Sequence, residues 1–146
     1  HERKEKNPCS LCAKMRKGAL NDVAKSLGCN KVALGHNKDD VIQTLFLSLF
    51  YEGRIYTFPP VSYLDRSDLH TIRPLIYVPE KEIVGFARKE GLSVLKSPCP
   101  ADGNTKREQV KNLIADLRNQ YDNLDNHIFG AIKRSAINGW NLEKHL

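Results

Sequence analysis

The sequence has few cysteines, no long apolar run and no internal repeat. Its four cysteines are too few for a disulfide scaffold in a chain of 146 residues. No apolar run approaches the roughly eighteen residues that a membrane span needs, and no signal-peptide core follows the charged start. These absences predict an intracellular, cytoplasmic protein without a membrane partner. The length suits one domain and is too short for two of ordinary size.

The charge is predominantly positive. The formal net charge is +6, and residues 1–17 carry six Lys or Arg against two Glu. A second basic set runs from Lys106 to Lys111. Such patches are typical of proteins that bind a phosphate backbone. A basic surface that only keeps the protein soluble is the alternative.

The spacing of apolar residues predicts several helices and two or three short strands. The helices are predicted over residues 13–27, 41–51 and 79–90, from Asn104 or Thr105 onward, and over residues 124–137. The strands are predicted at Lys31–Gly35, at residues 71–75 and at residues 92–95. Gly28 and Gly91 are placed to stop two of the helices. Residues 53–68, with Gly, two prolines and several polar side chains, are predicted to be irregular.

The alternation of helix, strand, loop and helix predicts an α/β fold of the doubly wound type. We expect a partial Rossmann-like parallel sheet with flanking helices and a helical C-terminal part. A complete sheet of this type needs about five strands, so either further strands lie upstream of His1 or the chain forms a homodimer, and we favour the first. The predicted divisions are a basic segment over residues 1–12, the α/β portion over 13–103 and a helical extension over 104–146.

Two cysteines stand three residues apart, immediately before a predicted helix. Cys9 and Cys12 can face one metal ion, and the free N–H groups of a helix start favour the thiolate form that binds metal. The alternative is that the two cysteines have this spacing by chance and bind no metal. Cys99, between two prolines, lies in a stiff polar loop and is a candidate third ligand. Cys29 is predicted to be a small buried side chain.

Three thiolates leave the kind of metal open. Structural zinc takes four protein ligands, and His36 or Asp39 would have to complete such a site. A [4Fe–4S] cluster held by three thiolates leaves one iron free for sulfide, water or substrate. Both possibilities follow from the cysteine spacing.

The polar segment Gly35–Asp40 follows a predicted strand, at the edge where open α/β sheets bind ligands. Gly35 allows close backbone approach, and carboxylates in this segment are suited to Mg²⁺ on the phosphates of a nucleotide. Asp39 as a helix cap, and His36 as a loop histidine with a backbone partner, are the alternatives.

Several segments in the same order resemble one known family. They are Cys9-Ser-Leu-Cys12 with Met15–Leu20, Lys31–Val41, Thr44–Arg54, Phe58-Pro-Pro60, Ile72–Leu75, Val78–Ile83 and Ser97–Glu108. This pattern is similar to the tRNA thiolase branch of the PP-loop ATPases, and to the 2-thiocytidine enzymes in particular. The resemblance covers roughly residues 7 to 132.

The resemblance implies an ATP-dependent enzyme that adenylates C2 of a cytidine in the tRNA anticodon loop and replaces the oxygen with sulfur. It implies ATP, Mg²⁺, an oxygen-sensitive [4Fe–4S] cluster, tRNA and a sulfur donor such as a cysteine desulfurase. The implied site residues are Cys9, Cys12 and Asp39 in catalysis; Gly35, His36 and Asp40 at the nucleotide; Arg54, Arg73, Lys106 and Arg107 at the tRNA; and Cys9, Cys12 and Cys99 at the cluster. Cys99 matches the family spacing only with a one-residue shift.

One family motif is missing. The phosphate-binding SGGxDS loop does not occur, and no two glycines are adjacent in the chain. Without those N–H donors the ATP phosphates have no cradle, so we expect this polypeptide alone to be inactive and its full-length parent to be active. A wobble 2-thiouridine synthetase, a zinc-bound tRNA-binding module and another PP-loop adenylating enzyme are the competing interpretations.

Overall fold

The structure is a computed structural model that describes residues 8–95 and 105–140, with the backbone alone at residues 8–10. The chain divides into two compact units. The first comprises the residues up to Leu34 together with Val61–Ile72, and the second comprises Gly35–Pro60 together with the residues from Arg73 onward. In the described ranges, no helix combines the length and the apolar character that crossing a membrane would require.

The first unit is a small mixed sheet with one helix. It contains helix α1 (Pro8–Ser26) and the strands β1 (Lys31–Ala33), β2 (Val61–Leu64) and β3 (Leu69–Ile72). The strand order is β1-β3-β2, with β1 parallel and β2 antiparallel to β3. Thr71 in the central strand lies opposite Val32 on one side and Ser62 on the other.

Helix α1 ends where the sequence predicts, at Gly28. This glycine has φ +72°, and its N–H donates to the carbonyl of Lys25 while the N–H of Cys29 donates to the carbonyl of Ala24. The pair of bonds is a Schellman motif, which needs a residue that tolerates the left-handed region. The prediction that Cys29 is buried is wrong, because the residue just past this turn points its side chain into solvent.

The core of the first unit is small. Ala24, Val32 and Leu69 are its buried apolar residues, with Leu34 packed against them. The helix predicted over residues 13–27 is present but begins earlier, at Pro8, so Cys9 and Cys12 lie within it rather than before it. Most of its apolar side chains are exposed because this three-stranded sheet offers them little surface. The exposed ones are Met15, Leu20, Val23 and Leu27.

Two strand predictions are wrong. Residues 53–68 were predicted to be irregular but contain strand β2. This strand is only four residues long and directly follows two prolines, so its sequence gave little sign of it. Residues 92–95 form no strand in the described ranges, and the side chain of Leu95 is 90% exposed. An apolar run without a neighbouring strand has no hydrogen-bond partner to make it β.

The second unit is helical. Its helices are α2 (Lys38–Leu47), a π-helix (Ser48–Glu52), α3 (Glu80–Lys89), α4 (Lys106–Arg118) and α5 (Leu124–Arg134). Thr105 as a helix start and Gly91 as a helix stop are confirmed. Pro79, predicted as the first residue of a helix, is instead its N-cap, and the helix begins at Glu80. The C-terminal end of the second predicted helix is a π-helix, closed by Gly53 at φ +61°.

A single apolar cluster holds the second unit together. It contains Val41 and Ile42 of α2, Val110 and Ile114 of α4, Phe129 and Ile132 of α5, and also Ile76 and Trp140. The Trp140 indole N–H donates to the carbonyl of Phe58 at 3.1 Å. Strands in one unit and helices in both confirm the α/β class.

Candidate functional site

A reciprocal cap positions the loop that precedes α2. The Asn37 side chain accepts from the N–H of Asp40 at 3.1 Å, and the Asp40 carboxylate accepts from the N–H of Asn37 at 3.0 Å. This capping box satisfies donors that the first turn of a helix leaves unpaired. One oxygen of Asp40 is therefore committed to the fold, and the other lies 3.8 Å from Nη1 of Arg107.

Asp39 joins three helices. Its Oδ2 accepts from the N–H of Glu80 at the start of α3, at 2.7 Å, and its Oδ1 accepts from Nη2 of Arg118 in α4, at 2.6 Å. Arg118 also donates from Nε to Asp125 in α5 at 3.0 Å. Only 13% of the Asp39 side chain is exposed. Both of its oxygens are occupied, so Asp39 holds α2 to its neighbours.

His36 stacks on an aromatic ring. Its ring centroid lies 4.7 Å from that of Phe58. Nδ1 is buried and has no hydrogen-bond partner among the residues that the structure describes. Burial lowers the pKa of His36 below 6.5, and Arg73 and Arg107 lower it further while Asp40 opposes them. The lowered pKa favours the neutral imidazole at pH 7.

Two of the predicted tRNA contacts lie beside this loop, although the Arg107 side chain is 46% exposed. Nη1 of Arg107 donates to Gln43 Oε1 at 3.2 Å, beside its contact with Asp40. The Arg73 guanidinium lies 4.9 Å from the Phe58 ring centroid, and its Nη1 donates to the carbonyl of Pro59 at 2.7 Å. Both cations bring positive charge to the neighbourhood of His36.

The other two predicted tRNA contacts lie on exposed aromatic rings. The Arg54 guanidinium is 4.5 Å from the Tyr56 ring centroid and pairs with Glu52 at 2.6 Å. The Lys106 ammonium is 4.3 Å from the Tyr51 ring centroid. The structure thus separates the four predicted contacts into a pair around His36 and a pair on tyrosines.

A cavity of about 910 Å³ opens beside Asp39. The starts of α2, α3 and α5 and the C-terminal part of α4 form its wall, and basic side chains outnumber acidic ones along it. Its charged and aromatic lining residues are Lys38, Asp39, Glu80, Lys81, Glu82, Arg88, Lys111, Arg118, Tyr121 and Asp125. Its size is in the range of small-molecule sites.

The cysteine site is only partly visible. Cys9 and Cys12 lie one turn apart in α1, a spacing that puts two residues on one helix face. Cys12 is exposed, and its sulfur accepts from Arg16 at 3.6 Å. The side chain of Cys9 and all of Cys99 lie outside the described residues. Among the side chains that are described, no three His, Cys, Asp or Glu come together as metal ligands.

Sequence reasoning missed the residues that fix the loop from a distance. Arg118 and Gln43 were not singled out, although each contacts a predicted site residue. Phe58 appeared only as part of a Phe-Pro-Pro segment. The sequence offers one signal for Arg118, which is a basic residue at the end of a helix. That signal does not identify Asp39 as its partner.

A family model described as the PP-loop domain matches residues 6–117. The chain belongs to the PP-loop family. This membership confirms the family resemblance and agrees with the α/β class seen here. The match includes the Cys9/Cys12 pair and the His36 loop in one continuous stretch.

Several curated relatives of this PP-loop chain are named tRNA-cytidine(32) 2-sulfurtransferase. The protein from Ralstonia nicotianae is 37% identical over 129 residues, covering 88% of this chain and 41% of the relative. The protein from Geobacter sulfurreducens is 38% identical over 131 residues, covering 88% and 48%. The chain therefore spans less than half the length of these relatives.

A solved structure resembles this PP-loop chain over most of its length. It is the U34-tRNA thiolase NcsA from Methanococcus maripaludis with its [4Fe-4S] cluster. The TM-score is 0.71 at 28% sequence identity, and the match covers 90% of this chain and 44% of that one.

Proposed function

We propose that this chain is part of an ATP-dependent tRNA thiolase that forms 2-thiocytidine in the anticodon loop. The observation that carries the proposal is the 38% identity to a tRNA-cytidine(32) 2-sulfurtransferase over 131 residues. The PP-loop family model, which matches residues 6–117, includes the cysteine pair and the loop at His36. The whole protein would adenylate C2 of the cytidine and exchange its oxygen for sulfur.

In this proposal the loop at His36 provides the neutral imidazole of His36, with the cations of Arg73 and Arg107 beside it. A neutral imidazole with a buried, unpartnered nitrogen suits a hydrogen bond to a base or to the adenylate. Arg73 and Arg107, which lie near it, would stabilise negative charge that develops during adenylation. Asp39 would act through the fold, since both of its oxygens already accept hydrogen bonds.

The cysteines fit a [4Fe–4S] cluster of three ligands. Cys9 and Cys12 stand one turn apart in α1 and Cys12 is exposed, a spacing at which two thiolates would bind one metal group. Cys99 would be the third ligand. When bound, the cluster would supply the sulfur chemistry, drawing on a donor such as a cysteine desulfurase in the cytoplasm.

We also propose that this polypeptide alone does not turn over ATP. It contains no adjacent glycines, and phosphate cradles in this family are built from such N–H donors. An ATP-dependent thiolation assay on the chain with substrate tRNA would overturn this proposal by yielding product.

The decisive test is complementation with the whole protein in a strain that lacks its own 2-thiocytidine. Mass spectrometry of tRNA nucleosides should show 2-thiocytidine restored, and Cys12→Ser and His36→Ala should abolish it. Cys29→Ser is the matched control, because Cys29 is exposed and is not a proposed ligand. No thiolated nucleoside from the unmodified protein would refute the proposal.

A second candidate is a wobble 2-thiouridine synthetase. The observation that favours it is the fold match at TM-score 0.71 to a U34-tRNA thiolase. Complementation of a strain that lacks 2-thiouridine separates the two, since this candidate would restore 2-thiouridine there and would leave cytidine unmodified in the first strain. Iron, sulfide and zinc analysis of anaerobically prepared protein tests the cluster against the zinc-bound alternative.

A further inference from the structure

We propose that residues 50–56 and the start of α4 form a stacking surface for unpaired bases of the tRNA substrate. This inference rests on the proposed function, because it takes RNA as the ligand. It assigns a role to aromatic side chains that the catalytic proposal does not use. We call this region the tyrosine surface and define it by Phe50, Tyr51, Tyr56, Arg54 and Lys106.

The tyrosine surface exposes three aromatic rings within seven residues of chain. Phe50 is 55% exposed, Tyr51 is 45% exposed and Tyr56 is 38% exposed. Exposed aromatic side chains are the common means by which proteins stack unpaired bases, because every base has a π-face. Ile55, 72% exposed, adds apolar area beside them.

Each tyrosine carries a cation. Lys106 lies 4.3 Å from the Tyr51 ring centroid, and Arg54 lies 4.5 Å from that of Tyr56. An RNA strand brings phosphates together with its bases, so rings with adjacent ammonium and guanidinium groups match both parts of that ligand. The net charge of +6 favours the same partner.

The tyrosine surface is held in a defined shape. The Tyr51 hydroxyl donates to Gln109 in α4 at 3.0 Å, and Phe50 packs edge-on against Phe46 at 5.6 Å between centroids. The fully buried Thr57 donates from its hydroxyl to the Val41 carbonyl at 2.9 Å. Rings ordered before binding lose less entropy when a base stacks on them.

The tyrosine surface suits unpaired RNA better than duplex RNA or a second copy of this chain. A duplex keeps its base faces inside the helix, where the rings cannot reach them. The centre of a contact between two copies of the chain is normally depleted of charge, whereas here a cation sits on each tyrosine. Lysine in particular is uncommon at such centres.

The first test uses a single-stranded RNA and an anticodon stem-loop, each with 2-aminopurine at an unpaired position. Stacking should quench the fluorescence when the chain is added. Tyr51→Ala should weaken binding at least about fivefold, by the smallest stacking energies measured per base. Tyr51→Phe should bind within about twofold of the unmodified chain because it keeps the ring. Tyr63→Ala, which removes an exposed tyrosine of the first unit, should have no effect.

The second test is the salt dependence of binding. Lys106→Gln should reduce the slope of log affinity against log salt by about 0.7 if the ammonium contacts one phosphate of a single strand. Equal binding by Tyr51→Ala and Tyr63→Ala, or a chain dimer that Tyr51→Ala dissociates in sedimentation, would overturn the inference. Loss of quenching in Tyr51→Ala would support it even if complementation showed no thiolated nucleoside, so the two proposals fail separately.

Discussion

Replacing Arg118 with methionine should destabilise the second unit more than any other single charge removal described here. The change deletes the 2.6 Å hydrogen bond to Asp39 and the 3.0 Å bond to Asp125 while keeping most of the apolar stem. Burial lowers the pKa of Arg118, but its bonds to Asp125 and Asp39 outweigh that effect and raise the pKa overall. The guanidinium is therefore charged at neutral pH.

The expected loss follows from the exposure of the two partners. The Asp39 side chain is 13% exposed, and losing a hydrogen bond to a charged group at such a site costs about 1.5–3 kcal/mol. Asp125 is 36% exposed, and such a pair contributes about 0–1 kcal/mol. We expect the free energy of unfolding to fall by about 2–3 kcal/mol.

Denaturant unfolding of the second unit measures this loss, and Arg54→Gln is the control. Arg54 and Glu52 also form a 2.6 Å ion pair, but their side chains are 58% and 48% exposed. We expect the control to lose no more than about 0.5 kcal/mol. In a double-mutant cycle, Asp39→Asn and Arg118→Met should couple by at least about 1 kcal/mol. Equal losses in Arg118→Met and Arg54→Gln, or an additive cycle, would refute the reasoning.

Three further predictions concern single sites. The lowered pKa of His36 means that the unfolded chain binds more protons near pH 6.5, so the free energy of unfolding should fall as pH drops from about 6.5 through the folded pKa. His36→Gln should flatten this dependence in denaturant titrations at about pH 5–7.5. An unchanged pH profile in this variant would contradict the prediction. Thr105→Ala should cost about 1 kcal/mol, because the hydroxyl accepts from the N–H of Glu108 at 3.2 Å, and Thr105→Ser should restore the loss in thermal unfolding. Gly139→Ala should lower the midpoint of thermal unfolding further than Gly130→Ala, since Gly139 has φ +81° and a Cβ added there would stand 2.5 Å from the Cβ of Pro59. A smaller shift for Gly139→Ala than for Gly130→Ala would disprove this.

Local signals in the sequence predicted the ends of the helices well. Gly28, Gly91 and Thr105 act through the backbone within a few residues of themselves, so their roles can be inferred without the fold. Strand β2 was missed because its pairing partner β3 makes it a strand, and its own four residues follow two prolines. Cys29 was placed in the core because cysteine is commonly buried, whereas its place past a helix end decided its exposure.

The sequence identifies candidate site residues but not the partners that hold them. The loop from Gly35 to Asp40 was identified from its position after a strand. The contact of Asp39 with Arg118 joins residues 79 positions apart, and it depends on how α2 packs against α4. The cation on Tyr51 likewise comes from a helix that begins 55 residues later. No spacing rule relates such positions.

The single tryptophan of the chain makes the two units separately observable. Trp140 is buried in the second unit, edge-on against Phe129 at 5.4 Å between centroids, and the first unit has none. Intrinsic fluorescence therefore follows the second unit without any label, while far-ultraviolet circular dichroism follows helices in both. One shared unfolding midpoint would mean that the units form one cooperative body, and two midpoints would assign a stability to each.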